Sequence, residues 1–147
     1  MDISSNFSER LKELMFDKGV SSSQLAESIF VKSNAITRYL QGVRLPRFET
    51  LVLLADYFHC SIEFLLGRSE ETDFEKTFLP VAPFGERLQE VLQECGVSKY
   101  ALKKKTNISW NNFHKWSKGE QKPYPDSLIK IADALEISVD YLLGRVK

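Results

Sequence analysis

Shifted by 77 residues, the chain lies over itself without a gap: residues 7–68 align with residues 84–145, and about 20 of the 62 aligned positions are identical. The pairs include Phe7/Phe84, Arg10/Arg87, Leu11/Leu88, Gly19/Gly96, Val20/Val97, Ser21/Ser98, Leu25/Leu102, Asn34/Asn111, Gly42/Gly119 and Pro46/Pro123, and both copies close on Leu-Leu-Gly-Arg, at 65–68 and 142–145. A chain of 147 residues has room for one mid-sized domain or two very small ones. The repeat selects the second: one small fold, present twice.

The expected division is a first domain over residues 1–68, a connector over 69–83 and a second domain over 84–147. The connector, SEETDFEKTFLPVAP, opens on acids, has no helical apolar period and holds two prolines near its end. Its Phe74, Phe78 and Leu79 are more apolar than a free tether needs. Whether part of it docks on a domain stays open at this stage.

Within each copy the apolar spacing is helical and nowhere alternates as a half-buried strand would, so the fold class is all-α, five helices per copy. Leu11, Leu14 and Met15 form the stripe of a first helix, stopped by Gly19. Ser21 with Gln24 three residues later makes a capping box for a second helix carrying Leu25, Ala26 and Ile29. A third helix is expected from about Ser33 to Gln41, with Ile36 and Leu40 inward and Gly42 at its end. Leu51, Leu54, Ala55 and Phe58 mark a fourth, and Ile62, Phe64, Leu65 and Leu66 a short fifth. The second copy repeats the scheme with Leu88, Val91 and Leu92; Leu102; Phe113 and Trp116; Leu128, Ile131, Ala132 and Leu135; and Val139, Tyr141, Leu142 and Leu143.

The step between the second and third helices is only three or four residues, Phe30-Val31-Lys32 and Asn107-Ile108-Ser109. So short a step makes the axes cross steeply, as in a helix-turn-helix that presents its second helix to a DNA groove. At this point both copies resemble the Cro and phage-repressor-like (XRE-type) helix-turn-helix family. The resemblance rests on Gly19-Val20-Ser21, Leu25-Ala26, Val31, Ile36, Gly42, Pro46 and Glu49-Thr50-Leu51 in the first copy. In the second it rests on Gly96-Val97-Ser98, Leu102, Ile108-Ser109, Phe113, Gly119, Pro123 and the ending Ser138-Val139-Asp140-Tyr141-Leu142-Leu143-Gly144. It covers nearly all of the chain except the connector.

What the resemblance implies is two lambda-repressor-like domains and sequence-specific binding of double-stranded DNA, with the third helix of each copy in the major groove. By position, the face of copy one is Ser33, Asn34, Thr37, Arg38 and Gln41, with Ser22, Lys32 and Arg44 beside it. That of copy two is Trp110, Asn111, His114, Lys115 and Lys118, with Lys99, Ser109 and Lys122. The residue types suit the task independently of the family, because Arg, Asn and Gln make paired hydrogen bonds to guanine and adenine edges. Charge agrees: the chain is neutral overall, 20 basic against 20 acidic residues, yet residues 21–47 carry four basic residues against Glu27, and residues 98–123 carry seven lysines against Glu120. Such one-sidedness is what phosphate binding requires.

The expected function is therefore a transcriptional regulator, a repressor that occupies an operator. The alternative is a protein-interaction module, an antitoxin or an adaptor, in which the second domain has taken a protein partner; Trp110, aligned with Ser33, is its best support. An enzyme is not expected, since no phosphate-binding glycine loop, nucleophile elbow or metalloprotease motif is present. No cofactor or metal is expected, and Cys60 and Cys95 read as plain thiols of a soluble, cytoplasmic chain without a membrane span. Relatives with one such domain obtain two reading helices by dimerising. Here one chain carries both, so a monomer on two unlike half-sites is expected, with a homodimer through the fifth helices as the other route. The family pattern is broken in places: Lys103 stands where a small residue is usual, Phe30 and Asn107 where the turn favours Gly, and Lys32 where a capping Ser is usual.

Overall fold

The computed structural model describes residues 2–147. Among the described residues there are ten helices and no strand, five in each of two compact units that divide after Lys76.

The first unit holds α1 (Ile3–Lys18), α2 (Ser22–Ser28), α3 (Ser33–Leu40), α4 (Phe48–Phe58) and α5 (Ile62–Leu65). Local chemistry sets these limits. The Asp2 carboxylate accepts from Ser5 N at 2.8 Å to open α1, and Gly19, at φ 72°, closes it by donating to the carbonyls of Met15 and Phe16. The expected capping box is present at α2: Gln24 N donates to Ser21 Oγ at 3.1 Å, and Ser21 N to Gln24 Oε1 at 2.8 Å. Leu11, Leu25, Ile36, Leu51, Leu54, Ile62 and Leu65 fill the core.

The second unit holds α6 (Phe84–Cys95), α7 (Lys99–Thr106), α8 (Trp110–Ser117), α9 (Pro125–Leu135) and α10 (Val139–Leu142) around Val91, Leu102, Leu128, Ile131, Val139 and Leu142. Ser98 caps α7 as Ser21 caps α2, but Ala101 stands where Gln24 stood, so the reciprocal bond is lost.

Two expected core positions are corrected. Leu40 is only half-buried, and Tyr39 takes the inner place three residues after Ile36, because its ring packs edge-on against Phe7 at 5.8 Å. Tyr141 is also half-buried: the Arg87 guanidinium lies over its ring at 5.0 Å, and its hydroxyl donates to the Glu94 carboxylate.

The arginines identical between the copies are structural. Arg10 lies over Phe64 at 4.3 Å as Arg87 lies over Tyr141, so each ties its first helix to its fifth. Arg68 pairs with Glu63 at 2.6 Å, and its counterpart Arg145, fully buried, pairs with Asp140 at 2.5 Å.

The segment 69–83 is not a free tether. Ser61 N donates to Thr72 O at 2.9 Å, Arg10 pairs with Glu70, and the His59 ring Nε2 donates to Lys76 O at 2.7 Å, all within the first unit. Past Lys76 the chain belongs to the second unit, where Leu79 N donates to Arg145 O at 2.8 Å and Phe78 lies against the Arg145 guanidinium.

Candidate nucleic-acid interface

In the first unit the chain turns from α2 to α3 through Ile29–Lys32, with Phe30 left-handed at φ 62° and Val31 N donating to Ala26 O at 3.0 Å. The buried Ala26 lets the two helices meet closely. Ile36 and Tyr39 anchor α3 on its inner side, and the Ser8 hydroxyl of α1 donates to Leu40 O at 2.6 Å at its far end. Held from below, α3 turns Ser33, Asn34, Thr37, Arg38 and Gln41 outward, all exposed, with Lys32 exposed at its start. Gly42, at φ 74°, ends the helix in the left-handed turn that a β-carbon would resist. Arg44 and Arg47 follow, both exposed. Burial pushes the Tyr39 phenol above its ordinary pKa, and the charges of Arg44 and Arg47, with a hydrogen bond from Thr50, work the other way. Both arginines follow the C-terminal end of α3 in the chain. Ser22, at the start of α2, is half-buried.

The second unit builds the same shape with other chemistry. Asn107 takes the left-handed turn at φ 58°, and Ser109 caps α8 by accepting from Asn112 N at 3.2 Å, whereas Lys32 gives α3 no side-chain cap. Phe113 and Trp116 anchor α8, their rings 5.4 Å apart and Phe84 of α6 at 5.6 Å from Trp116. Trp116 is thus a packing residue. The outward side carries Trp110, Asn111, His114 and Lys118, with Lys115 half-buried and Lys122 exposed beyond the helix. Trp110 is 47% exposed, its ring 5.9 Å from Phe113. With Lys99, Asn111, Phe113, His114 and Ser117 it lines a shallow groove of about 550 Å³, across which Lys99 Nζ reaches Ser117 Oγ at 3.4 Å.

Of the residues singled out by sequence, Ser33, Asn34, Thr37, Arg38 and Gln41 share one exposed side at α3, and Trp110, Asn111, His114 and Lys118 one at α8; Lys115 and Ser22 are half-buried, and Ser22 and Lys99 stand on the preceding helices. Tyr100 and Tyr124 add exposed rings that the sequence reading does not single out: they are 61% and 55% exposed, and Lys104 lies over Tyr100 at 5.3 Å. The repeat held the signal, because Tyr100 aligns with Ser23 and Tyr124 with Arg47, aromatic rings where the first copy is polar.

The family model for the Cro/C1-type HTH DNA-binding domain matches the chain twice, over residues 10–71 and 87–147. ImmR, an HTH-type transcriptional regulator of Bacillus subtilis, is 34% identical over 61 residues, 42% of this chain and 48% of ImmR. BcrR, an HTH-type transcriptional activator of Enterococcus faecalis, is 33% identical over 64 residues, 44% of this chain and 31% of BcrR. RstR, the cryptic phage CTXphi transcriptional repressor of Vibrio cholerae, is 38% identical over 60 residues, 41% of this chain and 54% of RstR. The chain spans about half or less of the length of these relatives. No solved structure matches the chain significantly. No helix among the described residues is long and apolar enough to cross a membrane. Two family matches, each falling on a five-helix unit with an outward polar helix, make the conclusion direct: the chain belongs to the Cro/C1-type HTH DNA-binding family.

Proposed function

We propose that the chain is a sequence-specific, double-stranded DNA-binding transcriptional regulator, acting in the cytoplasm as a repressor, whose α3 and α8 enter the major groove. The DNA-binding domains are residues 1–68 and 84–147, joined by 69–83. The observation that carries this reading is the exposed face of α3, where Asn34, Arg38 and Gln41 stand on a helix fixed underneath by Ile36, Tyr39 and the Ser8 bond. Arg38 offers a guanine its two-pronged donor, and Asn34 and Gln41 suit adenine. Thr37 and Ser33 stand between them; Ser22, Lys32 and Arg44 serve the phosphates. In the second copy Trp110, Asn111 and His114 take the groove, and Lys99, Ser109, Lys115, Lys118 and Lys122 the backbone.

Binding, not catalysis, is the role, in keeping with a family defined by DNA binding. Repression is supported by the name of RstR; among the same relatives BcrR is an activator. A reporter promoter overlapping the preferred site should lose expression when the chain is supplied; a rise would reverse the sign. Ile62, Phe64 and Leu65 of α5, and Val139 and Leu142 of α10, are buried in the single chain. That supports a monomer carrying both helices over a pair joined through α5 or α10. The surroundings of Trp110, Lys99 and His114 above all, suit an anionic duplex better than an apolar protein surface.

The test is Arg38→Ala in fluorescence anisotropy on the preferred duplex and a scrambled one. The substitution should cost about 1–3 kcal/mol on the preferred site and relax the base preference it reads. Unchanged affinity for both duplexes would contradict the reading.

A further inference from the structure

We infer that the two copies divide the work on one duplex: the first discriminates the sequence, and the second supplies most of the salt-dependent hold on the phosphates. The inference rests on the DNA-binding function proposed above.

The first observation is where the arginines go. The first unit has five, Arg10, Arg38, Arg44, Arg47 and Arg68; the second has two, Arg87 and Arg145. Arg10 and Arg68 have their structural duties, and three arginines remain exposed around α3. Both arginines of the second unit are consumed by the fold. Arg87 pairs with Glu90 at 2.5 Å, donates to Tyr141 O at 2.6 Å and is nearly buried, while Arg145 is fully buried against Asp140 and Phe78. The second copy therefore presents no guanidinium fork at all.

What it presents is lysine. Residues 98–123 carry seven lysines and one acid, a balance of 7 − 1 = +6, against 4 − 1 = +3 over residues 21–47. An ammonium is a compact, strongly hydrated point charge on a flexible stem, well suited to a phosphate and a poor selector of base edges, whereas the planar guanidinium matches guanine in two places. The outward faces differ in the same sense. Where α3 shows Asn34, Thr37, Arg38 and Gln41, α8 shows Asn111, His114, Lys115 and Lys118 at the aligned positions, so one amide alone is retained. Trp110 adds a half-exposed ring, whose apolar face can lie against the deoxyribose of the backbone, a contact that carries no sequence information.

Salt dependence separates the roles, because each phosphate contact adds about 0.9 to the slope of log affinity against log salt. The full chain and its variants are titrated with the preferred and a scrambled duplex between 50 and 200 mM salt, with circular dichroism confirming the fold. Lys99→Gln/Lys115→Gln/Lys118→Gln should lower the slope by about 2.7, so that the wild type loses about 40-fold more affinity over that range than the variant does. The ratio of preferred to scrambled affinity should stay within about twofold. Arg38→Ala should do the reverse, cutting that ratio by about tenfold or more while the slope moves by at most about 1. Should the triple variant fail to fold, Lys105→Gln/Lys118→Gln, both at exposed positions, should lower the slope by about 2. An unaltered slope, as expected if the lysines serve an acidic protein instead, would overturn the division, and so would a ratio that collapses more in the lysine variant than in Arg38→Ala. A wild-type chain that binds neither duplex at 50 mM salt would overturn the DNA-binding function itself.

Discussion

Phe30 holds a left-handed backbone, φ 62°, while its ring is 87% exposed. That conformation costs a residue with a β-carbon about 1–2 kcal/mol, and so exposed a ring returns little packing. Phe30→Gly should therefore raise the urea-unfolding free energy of the first unit by about 1 kcal/mol; a fall would show that the ring packs more than its exposure implies. Trp110 is the other residue whose setting makes a prediction. Trp116 is buried and Trp110 half-exposed, so emission should shift when the preferred duplex is added, and the shift should vanish in Trp110→Phe. A shift that survives the substitution would remove Trp110 from the interface. At this scale the sequence is legible where the effect is local: Ser109 caps and Lys32 does not, and Asn107 and Phe30 both occupy a glycine-like turn, as their places in the repeat predict. It is opaque for Arg145, because an arginine in Leu-Gly-Arg-Val still reads as surface until Asp140 and Phe78 are seen to enclose it.

Each outward polar helix, α3 and α8, is seated on the first helix of its unit, and the two copies solve that contact differently. Ser8 and Gly85 are aligned. In the first unit the Ser8 hydroxyl satisfies Leu40 O, at the end of α3. In the second, Gly85 lets the backbone of α6 come against α8 so closely that an added β-carbon would lie 2.6 Å from Trp116 O. Backbone cannot yield as a side chain does, so Gly85→Ala should destabilise the second unit by about 1–3 kcal/mol, read by thermal unfolding, and weaken DNA binding by displacing α8. Unchanged stability would mean that α6 and α8 slide apart without cost. The helices and their inner stripes were legible because apolar residues at three- and four-residue spacing have few other uses. Leu40 and Tyr141 were misplaced for one reason: spacing names a stripe, but the neighbours decide its edge. Phe7 draws Tyr39 in, and Arg87 covers the Tyr141 ring from outside.

At the scale of the whole molecule, two helices on one chain present unlike faces, Ser33 against Trp110, Thr37 against His114 and Arg38 against Lys115. Unlike faces prefer unlike half-sites. As a free chain, a 15-residue connector could extend to about 50 Å. Hydrogen bonds instead hold Thr72 and Lys76 to the first unit and Leu79 to the second, which shortens any free span, and the connector's composition alone could not reveal it. The outward helices, their chemistry and the family they belong to all converge on selective recognition of duplex DNA. Selection of bound fragments from a random duplex library by the full chain tests that claim most directly. The account predicts enrichment of a non-palindromic site whose informative base pairs, rich in guanine and adenine contacts for Arg38, Asn34 and Gln41, gather in one half. A library that emerges without any enriched sequence, or with a strict palindrome bound by two chains, would contradict it.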